Sequence, residues 1–205
     1  MAYFDERARD WDSDPAKVDR ARVVANAIRP LLPVKAGLSA LEYGCGTGLL
    51  SFFLQMDFAS ITLADTSQGM LDVLSSKIES SGLDHLYPIK LDLVNQPLPE
   101  THFDMIYSLM TMHHILETET FLHHFYMLLN PGGYLCIADL EKEDGSFHGA
   151  ATKDVHKGFE RSVLQHQAET AGFSKIRFSP AFAINKLVDG REKTFPVFLM
   201  VANRA

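Results

Sequence analysis

Short apolar runs alternate along the chain with amphipathic segments. The apolar runs have the length of buried strands, and the segments between them carry apolar residues at helical spacing. The predicted strands are Leu38 to Tyr43, Ile61 to Ala64, Leu86 to Lys90, Phe103 to Tyr107 and Gly133 to Ala138. The predicted helices between them are Leu49 to Met56, Gln68 to about Ser80 and Ile115 to Leu129. This order is typical of parallel strands joined by right-handed helical crossovers.

The two ends of the chain depart from the alternation. Tyr3 to Leu32 is predicted to form one or two helices, with Asp14-Pro15 as a cap and first-turn proline and with Pro30 and Pro33 ending the segment. At the other end, Phe173 to Phe182 and Pro196 to Asn203 are β-rich runs with no helix between them. The polar stretch from Asn185 to Thr194 contains Asp189-Gly190, a hairpin signal, so we expect the sheet to finish with an antiparallel pair.

Composition narrows the class of protein. The 205 residues suit one α/β domain spanning residues 1–205, and 46% hydrophobic with 22% charged residues is ordinary for a globular protein. The net charge of -7 disfavours nucleic acid as a partner. No apolar run is long enough for a membrane span and no signal core precedes the first helix, so the protein is expected to be cytoplasmic. Cys45 and Cys136 are interpreted as free thiols, because the chain has no Cys-x-x-Cys pair.

The first predicted strand ends in a glycine-rich turn, Gly44-Cys45-Gly46-Thr47-Gly48, which opens a helix. Alternating glycines let a ligand approach the backbone closely, and the helix N-terminus offers it unpaired N–H groups. The third glycine comes one residue earlier than in the Gly-x-Gly-x-x-Gly dinucleotide pattern, and no Gly-Lys-Ser/Thr follows as in a P-loop. The turn therefore disfavours a nicotinamide oxidoreductase.

Two acids at strand ends favour a nucleoside ligand. Asp65 ends the second strand about 20 residues after the first glycine, the offset of an acid that accepts from ribose hydroxyls. Asp92 follows the third strand, where a carboxylate can accept from an adenine amino group. Because open α/β sheets bind ligands at the carboxyl ends of parallel strands, both acids are expected to face one crevice.

These residues make the sequence similar to the class I methyltransferases that use S-adenosylmethionine (SAM). The resemblance covers nearly the whole chain. It rests on Leu41 to Gly48, Ala64 to Leu71, Phe103 to Ser108 and Leu128 to Gly133. The family fold it implies is α/β: a Rossmann-like, seven-stranded, mostly parallel sheet with an antiparallel last strand, helices on both faces and an N-terminal helical lid.

The opening stretch, Tyr3 to Asp12, resembles the lid helix of the small-molecule group that includes quinone-biosynthesis methyltransferases. By this resemblance residues 1–33 form a lid over the cofactor, with Trp11 among its contacts. Residues 140–160 follow the fifth strand, where the family commonly builds substrate contacts, and are expected to form a substrate-side insertion.

The resemblance also implies roles for individual residues. Gly44, Gly46 and Gly48 pass beneath the methionyl part of SAM, with Cys45 in the same turn, and Glu42 helps to organise its amino group. Asp65 binds the ribose diol with Thr66 next to it. The other implied contacts are Met70 packing on adenine, Asp92 on the adenine amine, Leu93 through its backbone, and the backbone of Ser108 near the methionyl amine. Ordinary helix packing is the alternative for Met70.

Methyl transfer from a sulfonium needs alignment more than covalent help, and it needs a base only where the acceptor must lose a proton. Histidine is the side chain that titrates near neutrality. His113, His148 and His156 are the candidate catalytic residues, and a cap or packed ring is the alternative for each. His114 is interpreted as structural, and no metal ligand set is predicted.

We therefore expect an enzyme that moves a methyl group from SAM to a small-molecule acceptor and releases S-adenosylhomocysteine, as a monomer or homodimer. Direct SN2 displacement is the expected route. A non-catalytic SAM-binding regulatory module of the same fold is the alternative, because an intact glycine turn does not separate the two.

Overall fold

Seven strands form one mixed sheet in the part of the chain that the computed structural model describes, residues 2–32, 37–148 and 155–205. The strand order is β3-β2-β1-β4-β5-β7-β6. The strands are β1 (Ser39–Tyr43), β2 (Ser60–Asp65), β3 (Leu86–Lys90), β4 (Phe103–Leu109), β5 (Leu129–Leu140), β6 (Phe173–Val188) and β7 (Arg191–Arg204). The pairs among β1 to β5 are parallel, and β7 is antiparallel to both of its neighbours. The predicted fold class is confirmed.

Helices cover both faces of this sheet. They are α1 (Ala2–Arg7), α2 (Pro15–Ile28), α3 (Leu49–Leu54), α4 (Gln68–Ser81), α5 (Thr118–Leu128) and α6 (Arg161–Thr170). Buried residues of α2, α3 and α4 share one apolar core with one face of the strands. Those of α5 and α6 share a second core with the other face. Both strand faces are therefore buried, which explains why β1, β4 and β5 are near-continuous apolar runs.

The N-terminal segment folds as predicted into two helices, joined by a 3₁₀ turn over Ala8–Ser13. The Asp14 carboxylate accepts from the Ala16 N–H at 2.9 Å, and Pro15 occupies the first helical position. Helix α2 ends at Ile28, and a short 3₁₀ turn over Arg29–Leu31 follows it. Pro33, the second predicted stop, lies outside the described residues, as do residue 1 of the predicted lid and residues 149–154 of the predicted insertion.

The C-terminal hairpin is longer than predicted. β6 and β7 pair from Asn185↔Thr194 to Val188↔Arg191, so the polar stretch between the two β-rich runs is paired strand. Its polarity reflects exposure, since this end of the hairpin extends past the sheet core. Asp189 (φ 50°) and Gly190 (φ 75°) form the predicted two-residue turn, with the left-handed backbone that such turns require.

Two other expectations are corrected. Helix α5 starts at Thr118 rather than Ile115, because a separate 3₁₀ turn over Met112–His114 precedes it. The structure also contains helix α6, which the sequence-based prediction did not include. Only Leu164 and Ala168 of it are buried, so its apolar pattern is too sparse to stand out. No helix in the described ranges is long and apolar enough to cross a membrane.

Candidate active site

The glycine turn follows β1 directly, and at two of its positions a side chain larger than hydrogen would clash with neighbouring residues. Gly44 and Gly48 have φ values of 70° and 79°, in the left-handed region. A Cβ on Gly44 would lie 2.2 Å from Thr111 Cγ2, and a Cβ on Gly48 would lie 2.6 Å from Leu74 Cδ1. The turn is thus packed on one side by α4 and on another by the segment after β4.

Gly46, the middle glycine, differs because its surroundings are open. Its φ is 53°, and the nearest atom to an added Cβ would be Met70 Sδ at 3.8 Å. Its N–H donates to Asp65 Oδ2 at 2.7 Å. Gly46 therefore leaves open backbone beside Met70 and Asp65, where the resemblance expects SAM, and this contact stays a prediction. Cys45 is buried and its thiol pKa is raised by burial, so it supplies no thiolate at neutral pH.

Asp65 connects the end of β2 to this turn. Besides Gly46, it accepts from the Ser67 N–H at 2.8 Å and from the Thr66 backbone. Burial raises the pKa of Asp65, and the three backbone donors offset part of that shift. Asp65 and Thr66 therefore lie where the resemblance expects the ribose, and their contact with the cofactor stays a prediction.

Glu42 points into the protein rather than toward open space. It is 3% exposed, and its carboxyl accepts from the Ser51 hydroxyl and from the Ser51 N–H, the latter at 3.2 Å. The Ser51 hydroxyl also lies 2.7 Å from Tyr107 Oη. Burial raises the pKa of Glu42 to about 8. Its contacts place Glu42 under the start of α3, so any help to the methionyl amine passes through the turn that it supports.

Asp92 stabilises the loop after β3, where the resemblance expects the adenine. Asp92 Oδ1 accepts from the Val94 N–H at 3.0 Å. The Leu93 N–H is directed at Tyr43 Oη at 3.3 Å, and the Ser108 hydroxyl donates to the Tyr43 carbonyl at 2.9 Å. Tyr43 thus connects Leu93 and Ser108. The adenine contacts implied for Asp92 and Leu93 stay predictions, as does the methionyl contact implied for Ser108.

The N-terminal segment lies on the glycine turn and on the start of α4. Asp12 accepts from the Thr47 hydroxyl at 2.5 Å and from Lys77 Nζ at 2.6 Å. Asp5 accepts from the Ser67 hydroxyl at 2.6 Å and from the Gly69 N–H at 2.8 Å. Sequence reasoning missed both acids, because in an acid-rich opening segment they resemble solvated surface residues.

Two rings of this segment pack together near the histidines that follow β4. Phe4 packs edge-on against Trp11, with ring centroids 6.0 Å apart, and against His114 at 5.4 Å. Lys17 Nζ lies 4.1 Å from the centroid of the Trp11 ring. The segment expected to act as a lid therefore touches both the glycine turn and the histidines.

His113 is fully buried against a carboxylate that sequence reasoning missed. His113 Nδ1 lies 2.7 Å from Asp139 Oδ1, and the two residues are 1% and 0% exposed. The His113 backbone N–H also donates to Asp139 Oδ2 at 3.3 Å. A carboxylate at Nδ1 holds the proton there and leaves the Nε2 lone pair available. The available signal was an acid inside the apolar run of β5, where unpaired acids are rare.

Two further histidines gather around His113. The His114 and His148 ring centroids lie 4.2 Å and 4.9 Å from that of His113, and 5.2 Å from each other. Burial, together with the neighbouring imidazoles, lowers the pKa of His114 to about 3 and that of His148 to about 4. Both rings are neutral at physiological pH. His114, interpreted from sequence as structural, thus belongs to the same group as two catalytic candidates.

His156 lies apart from this group. Its Nε2 is 3.1 Å from Thr118 Oγ1 and 3.2 Å from the Leu116 carbonyl, at the start of α5. Its backbone N–H donates to the His113 carbonyl at 2.7 Å. These contacts suit a residue that positions the segment around His113, and a catalytic role for His156 stays a prediction.

The strand order with an antiparallel β7, the glycine turn after β1 and the acid at the end of β2 together define a class I SAM-dependent methyltransferase. Comparison with known proteins agrees with this class. A methyltransferase-domain family matches residues 40–133. An uncharacterized methyltransferase of Schizosaccharomyces pombe is 32% identical over 92% of this chain and 74% of its own length. The chain belongs to the SAM-dependent methyltransferase family.

Two other similarities agree with this assignment. A ubiquinone biosynthesis O-methyltransferase of Maricaulis maris is 26% identical over 82% of this chain and 72% of its own length. A phosphoethanolamine N-methyltransferase of Haemonchus contortus, solved with S-adenosyl-L-methionine, superposes with a TM-score of 0.72. That match has 16% identity and covers 88% of this chain and 52% of the other, so it supports the fold alone. SAM is the cofactor of this family.

Proposed function

We propose that this enzyme transfers the methyl group of SAM to a small-molecule acceptor that binds beside His113. One observation carries the proposal: the cofactor turn touches the short segment that bears the buried histidine. Thr111 Oγ1 lies 3.3 Å from the Gly44 carbonyl, and His113 follows two residues later. The methionyl end of the cofactor site is thereby next to an imidazole that a carboxylate holds in place.

The chain's own residues divide the work of binding. The backbone of Gly44 to Gly48 receives the methionyl part, Asp65 receives the ribose hydroxyls, and Met70 packs on the adenine. SAM supplies an activated methyl group on a sulfonium. The lid contacts of Asp5 and Asp12 exclude water from the cofactor and hold it in line with the acceptor.

In the transfer, a lone pair of the acceptor atom forms the new bond to the methyl carbon as the carbon–sulfur bond breaks. The electron pair of that bond returns to sulfur, which becomes the neutral thioether of S-adenosylhomocysteine. An acceptor O–H, N–H or S–H must also lose a proton. The buried Asp139 keeps the His113 proton on Nδ1, so the Nε2 side of the ring is the proposed catalytic group.

A small acceptor suits the surroundings of this group. The rings of Phe4 and Phe147 lie close to the histidines, Phe4 against His114 and Phe147 against His113, so the approach to the group is crowded. The net charge of -7 also disfavours nucleic acid. The ubiquinone biosynthesis O-methyltransferase named above supports an acceptor of metabolite size.

The direct test measures cofactor binding and turnover separately. SAM and S-adenosylhomocysteine are titrated by calorimetry. Release of S-adenosylhomocysteine is then followed with phenols, catechols, amines and thiols as acceptors. We expect binding of both and turnover with one acceptor class. SAM binding with no turnover across the panel would favour the non-catalytic regulatory module, and no SAM binding to folded protein would contradict the proposal altogether.

A matched pair of glycine variants tests the site of binding. Gly46 and Gly82 have φ values of 53° and 65°, and neither has an atom within 3.4 Å of an added Cβ. Each change to alanine therefore imposes a similar backbone cost, about 1 kcal/mol. Only Gly46→Ala places a methyl group on the proposed cofactor surface. We expect at least about 10-fold weaker SAM binding, or about 1.4 kcal/mol, for Gly46→Ala and no change for Gly82→Ala. Equal affinities would refute the proposed path of the cofactor.

A further inference from the structure

We infer that His113, His114 and His148 form a binding site for a divalent transition-metal ion of the zinc type, and that the ion holds the reacting atom of the acceptor. The inference rests on the proposed function, since it specifies how that acceptor is bound. It replaces the sequence-based expectation that the protein has no metal ligand set.

The first argument is convergence of donor atoms. One ring nitrogen of each histidine lies within 4.8 Å of one ring nitrogen of each other. Three nitrogens bound tetrahedrally at about 2.1 Å are separated by about 3.4 Å, so small side-chain rotations bring the group to binding distance. A general base needs a single imidazole. Three imidazoles around one point form the donor set of a cation.

The second argument is the carboxylate behind His113. Histidine ligands of metals characteristically donate their other ring N–H to a carboxylate, which fixes the tautomer and makes the ligand more basic. Asp139 Oδ1 lies 2.7 Å from His113 Nδ1, and it also accepts from the Leu140 N–H at 2.7 Å. The same Asp139 carboxylate supplies a negative charge next to the ion. The ligand His113 is thus oriented by a carboxylate that β5 and the backbone hold rigidly.

The third argument decides between metals. Imidazole nitrogen suits zinc, copper, iron and nickel, whereas magnesium and calcium prefer oxygen ligands. A three-histidine set leaves one coordination position open, as catalytic zinc sites do. His114 touches Phe4 of the N-terminal segment, and Thr111 touches the glycine turn, so the cluster adjoins the methionyl end of the cofactor site. An acceptor with a hydroxyl or thiol donor is the ligand class that fits the fourth position, because its oxygen or sulfur keeps a lone pair for the methyl carbon after binding the ion.

The role of the ion follows from this placement. A divalent ion lowers the pKa of a hydroxyl or thiol that binds it, so the acceptor loses its proton to solvent before its lone pair attacks the methyl carbon. In this arrangement His113 Nε2 is a metal ligand, and the ion takes the place of the general base described under the proposed function. The transfer then proceeds as described above, with the electron pair of the carbon–sulfur bond returning to sulfur.

The experiment uses the untagged 205-residue chain, stripped of metal with a chelator. Zn²⁺ binding is measured by calorimetry, and Co²⁺ is titrated as a visible-absorbing probe of coordination. We expect one ion per chain and a Co²⁺ spectrum typical of four-coordinate nitrogen and oxygen ligation. His148→Ala and His114→Ala should each weaken Zn²⁺ binding by more than about 100-fold, beyond the effect of losing an outer-shell partner. His123→Ala, an exposed histidine on α5, is the matched control and should bind as wild type does.

Asp139→Asn tests the orienting carboxylate. We expect Zn²⁺ affinity to fall by about 10–100-fold while the Co²⁺ spectrum keeps its shape, because the three ligands remain. Circular dichroism checks that each variant is folded, and His148→Ala provides the test if the buried Asp139 change unfolds the protein. Absence of stoichiometric Zn²⁺ binding to folded wild type, or unchanged binding in His114→Ala and His148→Ala, would overturn the inference.

Calorimetry with SAM on the metal-free protein separates the two proposals. SAM binding without any Zn²⁺ binding would overturn the metal site and leave the methyltransferase proposal standing. Failure of SAM to bind either form would sink the proposed function instead. With an identified acceptor, removal of the ion should reduce turnover at least about 10-fold, and addition of Zn²⁺ should restore it.

Discussion

At the scale of single residues, three acids at the carboxyl end of the sheet or near it have different roles, and two of them, Glu42 and Asp139, are buried. Asp139 holds the ring of His113, Asp65 binds the backbone of the glycine turn, and Glu42 supports α3 through Ser51. Of these three acids, Glu42 has the effect that is simplest to measure, a change in protein stability with pH. Burial raises the pKa of Glu42 from 4.5 to about 8, because the ionised form loses hydration.

Glu42 should make the protein less stable as pH rises. A raised pKa means that the folded state holds the proton more tightly than the unfolded state does. The stabilisation is therefore complete below about pH 4.5 and is lost as pH rises through about 8. Between about pH 5 and pH 8.5, we expect the free energy of unfolding of wild type to fall as Glu42 ionises. The fall in Glu42→Gln, which lacks this group, should be smaller by about 1–4 kcal/mol.

Urea unfolding at the two pH values measures this difference. Glu100→Gln, a change at an exposed glutamate, is the control and should follow the wild-type pH dependence. If Glu42→Gln shows the same slope as wild type, Glu42 is not protonated in the folded protein.

At the scale of elements, the N-terminal segment is attached to the glycine turn and to α4 by hydrogen bonds to two carboxylates. Asp12 connects to Thr47 of the turn and to Lys77 of α4, and Lys77 Nζ also donates to the Thr47 carbonyl at 2.7 Å. Asp5 of α1 accepts from the Ser67 hydroxyl and from the Gly69 N–H at the start of α4. Because these bonds cross from the segment to the turn and to α4, we expect their strength to set how tightly the proposed lid covers a bound cofactor.

Asp12→Ala should therefore speed release of the product cofactor. The Lys77 and Asp12 side chains are 27% and 31% exposed, so water screens the interaction and its loss is worth about 1 kcal/mol. We expect S-adenosylhomocysteine to dissociate roughly 5-fold faster in stopped-flow displacement. Asp19→Ala removes an exposed pair with Arg22 on α2 and is the matched control. Equal dissociation rates in the two variants would mean that the Asp12 contacts do not hold the lid.

At the scale of the whole molecule, both cysteines report on cooperative unfolding. Cys45 lies in the glycine turn and Cys136 in the middle of β5, and both belong to the core on the α2, α3 and α4 side of the sheet. They are 6% and 1% exposed. Burial raises the pKa of Cys136 to about 12 and also raises that of Cys45, so neither thiol is reactive while folded.

We expect an aromatic disulfide reagent to label the two thiols slowly and at similar rates, through global opening of the fold. S-adenosylhomocysteine should slow both by the same factor, 1 + L/Kd, where L is the free ligand concentration and Kd its dissociation constant. Cys45→Ala and Cys136→Ala allow each thiol to be followed alone. Labelling of Cys45 much faster than Cys136 would show that the glycine turn opens on its own, contrary to this expectation.

Much of the fold could be predicted from the sequence because its signals are local. The Gly44 to Gly48 spacing, the acid after β2 and the Asp189-Gly190 turn each lie within a few residues of the element that they define. Local signals failed where burial was sparse, as in α6, or where exposed residues were paired strand, as at the end of β6. In both cases tertiary contacts rather than periodicity stabilise the element.

By itself, the sequence determined the class of protein, the glycine turn and the antiparallel pairing of the last strands. Only the tertiary structure decided how the histidines are grouped. Leu109 of β4 pairs with Ala138 of β5, so His113, shortly after β4, meets Asp139 near the end of β5 although 26 positions separate them. His148 joins them from the segment after β5. Such contacts depend on which strands are neighbours, and strand order is set by packing of the whole sheet rather than by any local pattern.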